Sequence, residues 1–124
     1  MTIIEAIDRV DSLKPNGYSF DDKVSWLSSL DGMVLDQVLA NYITNEEKNA
    51  FEGYNPNTPI DTKLIVDEPY SDIYLLWIQS KIEFYDGEIA KYNNTMIAFN
   101  SLYNDFEKHI FRTRGAKETR IKYW

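Results

Sequence analysis

The 124-residue sequence contains no cysteine and a single histidine, His109. Without cysteine the chain has no disulfide framework and no thiolate metal site, which suits a reducing compartment. A nucleophile–base pair would need His109 beside an activated Ser or Thr, and no Gly-x-Ser-x-Gly elbow occurs. Since its spacing to Asp105 puts both side chains on one face of a helix, we interpret His109 as a surface imidazole near a carboxylate.

Glycine and long apolar runs are also scarce. The five glycines are scattered at positions 17, 32, 53, 87 and 115, so no phosphate-binding glycine loop is present. The adjacent carboxylates at 21–22, 46–47 and 67–68 lack the spacing and glycine of a calcium loop, and we interpret them as helix starts. No stretch approaches the ~20 apolar residues that span a bilayer, and the N-terminus does not resemble a signal peptide. We therefore expect a soluble, unexported protein with no enzymatic activity, cofactor, metal or membrane contact.

Charge is distributed unevenly along the chain. Residues 1–111 carry eight Lys and Arg against nineteen Asp and Glu, a net charge of −11. Residues 112–124, here called the basic arm, carry five basic residues against one Glu, a net charge of +4. We predict a single helical domain over 1–111, which would repel DNA phosphates, followed by the basic arm. The arm is either a solvated end, a segment that docks on an acidic face of a neighbouring protein, or a nucleic-acid contact.

Apolar side chains recur at helical spacing over residues 69–112 for longer than anywhere else in the chain. They follow one another in steps of three and four at Leu75, Ile78, Ile82, Tyr85, Ile89, Tyr92, Met96, Phe99, Tyr103, Phe106 and Ile110. Because Asp86-Gly87 interrupts this stretch and Gly disfavours a helix interior, we predict a helical hairpin over 69–85 and 88–112. A single bent helix of about 65 Å, at 1.5 Å per residue, is the alternative.

The aromatic members of this stripe invite two interpretations. Tyr85, Tyr92, Phe99, Tyr103 and Phe106 follow helical spacing among acidic residues, so we predict buried core rather than a base-stacking platform. The excess of tyrosine also suits a protein interface, since tyrosine buries a large area and keeps a hydroxyl for a partner.

The N-terminal third predicts two helices. Thr2 with Glu5 matches a capping box and starts a short amphipathic helix that the sequence Pro-Asn-Gly at 15–17 ends. Ser19 with Asp22 repeats the cap and starts a second helix over residues 20–43. The pair Asp31-Gly32 is expected to be a weak point or bend within that helix.

Residues 44–68 show no sustained helical period and are predicted to be a long irregular loop, after which Pro69 begins the third helix. The loop is apolar enough to dock on the helices or on a neighbouring subunit. The candidate interface residues are its apolar members and the arm's basic and aromatic residues: Phe51, Tyr54, Leu64, Ile65, Val66, Arg112, Arg114, Lys117, Arg120, Tyr123 and Trp124. The predicted fold class is all-α, with two N-terminal helices, this loop, the C-terminal hairpin and an extended basic tail.

The order of these parts resembles a known family. The matching segments are residues 2–10, 23–32, 51–54 (Phe-Glu-Gly-Tyr), 69–70 and, above all, 85–100, which reads YDGEIAKYNNTMIAFN. On these segments the chain is similar to the small helical head–tail connector (adaptor) proteins of tailed bacteriophages and prophages. None of the matching segments is catalytic.

The resemblance implies a structural virion protein that assembles as a ring of identical subunits between portal and tail. Its partners would be other copies of itself, the portal protein and a tail or head-completion protein, with DNA passing nearby without specific binding. It would be located in the virion, and in the host cytoplasm during assembly. The alternative from another class is an acidic binding module, a DNA-mimic inhibitor or small regulator, acting as a monomer or small oligomer.

Overall fold

Residues 1–115, which the computed structural model describes, are mostly helical and contain no strand. The helices in chain order are α1 (Ile3–Leu13), α2 (Phe20–Met33), α3 (Asn45–Ala50), α4 (Ile73–Tyr85) and α5 (Ile89–Ile110). Two π-helical segments, Val34–Leu39 and Phe111–Gly115, continue α2 and α5. The predicted all-α class is therefore confirmed.

Helix α4 is the central element because it is apolar on nearly every side. It contacts α1, α2 and α5, and a helix that is hydrophobic all round must be covered on all faces. Ile73, Tyr74, Ile78 and Ile82 are completely buried along its length. The core is one continuous cluster that α1, α2 and the C-terminal half of α5 complete around α4.

The predicted helical hairpin is confirmed, and the single bent helix is excluded. Helix α4 ends in a Schellman motif: the Gly87 N–H donates to the Phe84 carbonyl at 3.2 Å, and the Glu88 N–H donates to the Glu83 carbonyl at 2.9 Å. Gly87 adopts φ of +76°, a left-handed conformation that glycine accepts without strain. Helix α5 then runs back along α4.

The predicted N-terminal caps are also confirmed. The Thr2 hydroxyl accepts a hydrogen bond from the Glu5 N–H at 3.3 Å, and the Ser19 hydroxyl accepts one from the Asp22 N–H at 3.1 Å. The segment that precedes α4 supplies two further partners, since the Ile3 and Ile4 N–H groups donate to carbonyls of residues 62 and 60. Backbone carbonyls far away in the sequence therefore accept hydrogen bonds from amides at the start of α1 that have no partner within the helix.

Three details of the predicted helices and loop are wrong. The helix predicted over residues 20–43 is α-helical only to Met33, and the π-helical segment Val34–Leu39 follows it. The loop predicted over 44–68 contains α3, which Thr44 caps; none of its residues is buried, so it has no apolar period to detect. Pro69 does not begin the third helix, because the Tyr70 N–H turns back to the Asp67 carbonyl and α4 starts at Ile73.

The predicted aromatic core is correct for only part of the stripe. Phe99, Tyr103 and Phe106 are buried between α5 and the rest of the core. Tyr85 is 58% exposed and Tyr92 is half-buried, so these two are not core residues. The physical reason is their position beside the hairpin turn, where α4 ends and the elements within residues 1–115 leave part of both rings exposed.

Replacing Gly53 or Gly87 by alanine tests how much the contact with Ser28 stabilises the segment 51–66. Gly53 has φ of +81°, and an added Cβ would lie 2.7 Å from the Ser28 hydroxyl oxygen, which accepts a hydrogen bond from the Tyr54 N–H. Gly87 has a similar φ, but open space surrounds it. We expect Gly87→Ala to cost about 1 kcal/mol through backbone strain alone, and Gly53→Ala to cost ~1 kcal/mol more through the displaced hydrogen bond. Urea unfolding of both variants measures this; equal losses would show that Ser28 does not hold the segment.

Candidate interaction surfaces

The main polar feature of the interior is a buried carboxylate, Asp31, with three hydrogen-bond donors; together with Val66, which bonds to one of those donors, they form what we call the Asp31 network. Its Oδ1 accepts a hydrogen bond from the Tyr74 hydroxyl at 2.6 Å, and its Oδ2 accepts one from the Tyr54 hydroxyl at 2.5 Å. The Ile65 N–H also donates to Oδ2 at 3.1 Å, and the Val66 N–H donates to the Tyr74 hydroxyl at 2.7 Å. The network joins α2, α4 and both ends of the segment 51–66.

Burial and hydrogen bonding have opposite effects on the pKa of Asp31. Asp31 is 0% exposed, and its desolvation raises the pKa of the carboxyl, while the hydroxyls of Tyr54 and Tyr74 and the Ile65 N–H act in the opposite direction. Burial and the nearby carboxylate also raise the pKa of Tyr54 and Tyr74. Both tyrosines therefore remain protonated donors around neutral pH. Asp31 serves as an acceptor for its own chain, and its position inside the core gives it no access to a substrate.

The sequence carries a signal for the burial of Asp31 but none for its donors. Asp31 follows Val24 and Leu27 and precedes Val34 in steps of three and four residues, so it lies on the buried face of α2. A carboxylate in that position must find donors, because an unpaired buried charge is costly. The expectation that Asp31-Gly32 marks a weak point or bend in the predicted helix agrees with the end of the regular α-helix at Met33, where the π-helical segment follows, although the Asp31 side chain itself is firmly bonded.

The structure places the predicted interface residues of the loop in the core of their own chain or against it. Leu64 and Val66 are fully buried core residues of their own chain and offer no surface to a partner. Phe51, Tyr54 and Ile65 are half-buried and pack against the same core, with the Phe51 and Tyr54 rings 5.3 Å apart. Of the two predicted positions for this segment, it therefore takes the one on the helices of its own chain.

The basic arm begins at the end of α5 farthest from the hairpin turn. Arg112 and Arg114 are exposed there, in the π-helical segment Phe111–Gly115. Arg112 lines a cavity of about 450 Å³ with Val38 and Phe111, and Arg114 lines one of about 230 Å³ with Leu39 and Ile110. The remaining predicted arm residues lie outside the described residues: Lys117, Arg120, Tyr123 and Trp124.

Both π-helical segments meet at this end of the molecule. Val34–Leu39 packs against α5, and its residues share the two cavities with those of Phe111–Gly115. Isolated π-helical turns frequently mark functional sites because they shift the register of the side chains that follow. This end combines irregular backbone, the exposed ring of Phe111 and two exposed arginines.

A different surface lies at the opposite end, beside the hairpin turn. Five aromatic rings form a continuous chain there with centroid separations of 5.4 to 6.2 Å, and we call them the hairpin-end aromatic surface: Tyr18, Trp26, Phe84, Tyr85 and Tyr92. Phe84 is 51% exposed, and the neighbouring Ile89 is 53% exposed. A contiguous aromatic surface of this kind is typical of a protein-binding site.

Polar contacts hold these rings in place. The Tyr18 hydroxyl donates to Asp86 at 2.6 Å, which ties the α1–α2 connection to the hairpin turn, and this hydrogen bond raises the pKa of Tyr18 to about 12. Lys14 forms an ion pair with Glu88 at 3.3 Å across the same junction. The Trp77 indole N–H donates to the Trp26 carbonyl at 2.9 Å, which anchors α2 against α4. The surface is therefore built from three elements in fixed positions.

The described residues show no other site of obvious chemistry. The His109 ring lies 5.1 Å from the Tyr70 ring, half-buried, and no hydrogen bond to Asp105 is formed. Within residues 1–115 no group of three His, Cys, Asp or Glu side chains is placed to hold a metal ion. In the same part of the chain, every helix is too short or too polar to cross a membrane.

Comparison with known proteins gives no relative. No protein-family model, no curated protein and no solved structure matches the chain.

Replacing Tyr74 by Phe tests the Asp31 network. The substitution leaves one carboxylate oxygen without its donor and the buried Val66 N–H without its acceptor, so we expect a loss of about 3 kcal/mol in the free energy of unfolding. Tyr103→Phe is the matched control, because the Tyr103 hydroxyl is buried without a hydrogen-bond partner among residues 1–115. We expect that control to be neutral or slightly stabilising in urea unfolding. Equal effects of the two substitutions would contradict the network's role.

Proposed function

We propose that this protein is a structural subunit of a tailed phage or prophage virion, a head–tail connector that assembles as a ring between portal and tail. The observation that carries the proposal is the presence of two unlike surfaces at opposite ends of α5. One is aromatic and lies beside the hairpin turn; the other is formed by the π-helical segments and the first arginines of the basic arm.

Two unlike surfaces suit head-to-tail association. A symmetric dimer uses one self-complementary surface twice, whereas a ring needs two different surfaces that fit one another. Helix α5 separates the two surfaces by about 33 Å, since its 22 residues rise 1.5 Å each. Helix α5 packs along α4, which keeps that separation fixed. Each subunit can therefore use both surfaces at once.

The charge of the helical domain supports a position around DNA. Residues 1–111 carry −11, and most of their Asp and Glu side chains are exposed. A channel lined by such subunits would repel phosphates and leave no favourable contact to break as DNA slides through. The portal protein and a tail or head-completion protein would occupy the two rims of the ring.

The same acidity supports a second candidate, an acidic binding module that mimics DNA. That function needs a monomer or small oligomer whose carboxylates occupy the DNA site of another protein. The two candidates differ in a property that is simple to measure, because the connector needs self-association and the mimic does not.

Light scattering across a concentration series distinguishes these candidates. For the connector we expect the mass to rise from the 14.6 kDa monomer to one fixed multiple, because a closed ring has no free surface for further addition. The assembled protein should also comigrate with the portal protein encoded nearest to it. It should leave DNA unshifted in a gel.

A monomer at every concentration that displaces a DNA-binding protein from its DNA would contradict the connector and support the acidic module. Flanking genes without capsid, portal or tail character would also contradict the connector.

A further inference from the structure

We infer that the hairpin-end aromatic surface receives the basic arm of a second copy of this chain. The inference rests on the self-assembly proposed above and identifies which surfaces meet. The hairpin-end aromatic surface is exposed and lies beside carboxylates, and the basic arm has a composition that complements it. The arm of the same chain is too short to dock there.

The receiving surface offers both apolar area and negative charge. Phe84 and Tyr85 are more than half exposed, and Trp26 stacks on Tyr85 with their ring centroids 5.9 Å apart. Asp22 precedes Trp26 by four residues and shares its face of α2, and Asp86 lies in the adjoining turn. Both carboxylates are exposed, and neither forms a salt bridge within residues 1–115.

Cations are also present on this surface but are occupied locally. Lys81 lies over the Trp77 ring, with its Nζ 4.6 Å from the ring centroid, and Lys91 pairs with Glu88 at 2.7 Å. The carboxylates of Asp22 and Asp86 therefore remain to attract an incoming cation.

The basic arm has the composition that such a surface binds. Residues 117–124 contain three basic side chains, one acid and, at 121, 123 and 124, an isoleucine, a tyrosine and a tryptophan. Arg and Lys stack on aromatic faces as cation–π partners, and Trp, Tyr and Arg dominate the binding energy of protein interfaces. The basic arm and the hairpin-end aromatic surface therefore carry opposite charges, and both present apolar side chains.

The arm of the same chain cannot make this contact. The hairpin turn lies about 33 Å from Ile110 along α5, and Phe111–Gly115 carries the chain farther away. Residues 116–124 span at most about 32 Å even when fully extended. They cannot bring several basic and aromatic side chains onto the surface together. The occupant must come from another copy, and this supplies the head-to-tail contact that a ring requires.

Disulfide trapping between full-length proteins tests the inference, because the native chain is free of cysteine. One protein carries Ile89→Cys beside the aromatic surface, and a second, separately tagged protein carries Tyr123→Cys in the basic arm. We expect the mixed dimer to form roughly tenfold faster or more than with the control below, because docking raises the effective concentration of the two thiols. High salt, or Arg120→Glu in the second protein, should slow the reaction.

The matched control is Ile60→Cys mixed with the same Tyr123→Cys protein. Ile60 is 52% exposed against 53% for Ile89, but its carbonyl accepts from the Ile4 N–H, at the end of α1 away from the hairpin turn. Equal trapping at positions 60 and 89 would overturn the inference.

The outcomes separate this inference from the proposed function. Equal trapping together with a fixed-mass oligomer in light scattering would reject the arm contact and leave the ring in place. Selective trapping at position 89 in a protein that forms open, growing chains would support the arm contact and reject a closed connector ring.

Discussion

The buried carboxyl group of Asp31 constrains most of this structure. Asp31 has no exposure to solvent, so its carboxyl oxygens can be satisfied only by donors from its own chain, and the fold brings three of them together. One donor is on α4, and the other two come from residues 54 and 65 of the segment that joins α3 to α4. The segment must therefore lie across α2 and α4, where its apolar side chains complete the core.

This constraint determines which surfaces remain for partners. Leu64 and Val66 lie in the core and offer no apolar area to a partner, whereas Ile89 and Phe111, at the two ends of α5, are more than half exposed. The exposed rings beside the hairpin turn and the side chains of Arg112 and Arg114 lie where no element within residues 1–115 covers them. A protein with unlike surfaces at its two ends is suited to head-to-tail assembly, and a ring is its closed form.

Local signals in the sequence predicted much of the fold, and long-range contacts account for the errors. Caps at Thr2 and Ser19 and the turn at Gly87 depend on residues within a few positions, so they were readable. The role of Asp31 was not, because its donors lie 23 to 43 positions away. The exposure of Tyr85 depends likewise on which elements reach the hairpin turn, which helical spacing alone does not specify. The aromatic surface formed with Tyr18 and Trp26 went unpredicted for the same reason.

Amide hydrogen exchange tests most directly the claim that Asp31 fastens this segment to its own helices. The Ile65 and Val66 N–H groups donate to side chains of the network, so the account predicts that they exchange nearly as slowly as the amides of α4. Their protection should be the same in dilute and concentrated protein, because it depends on one chain alone. Exchange as fast as that of the exposed residues Ile60 and Asp61, or protection that appears only on self-association, would contradict it.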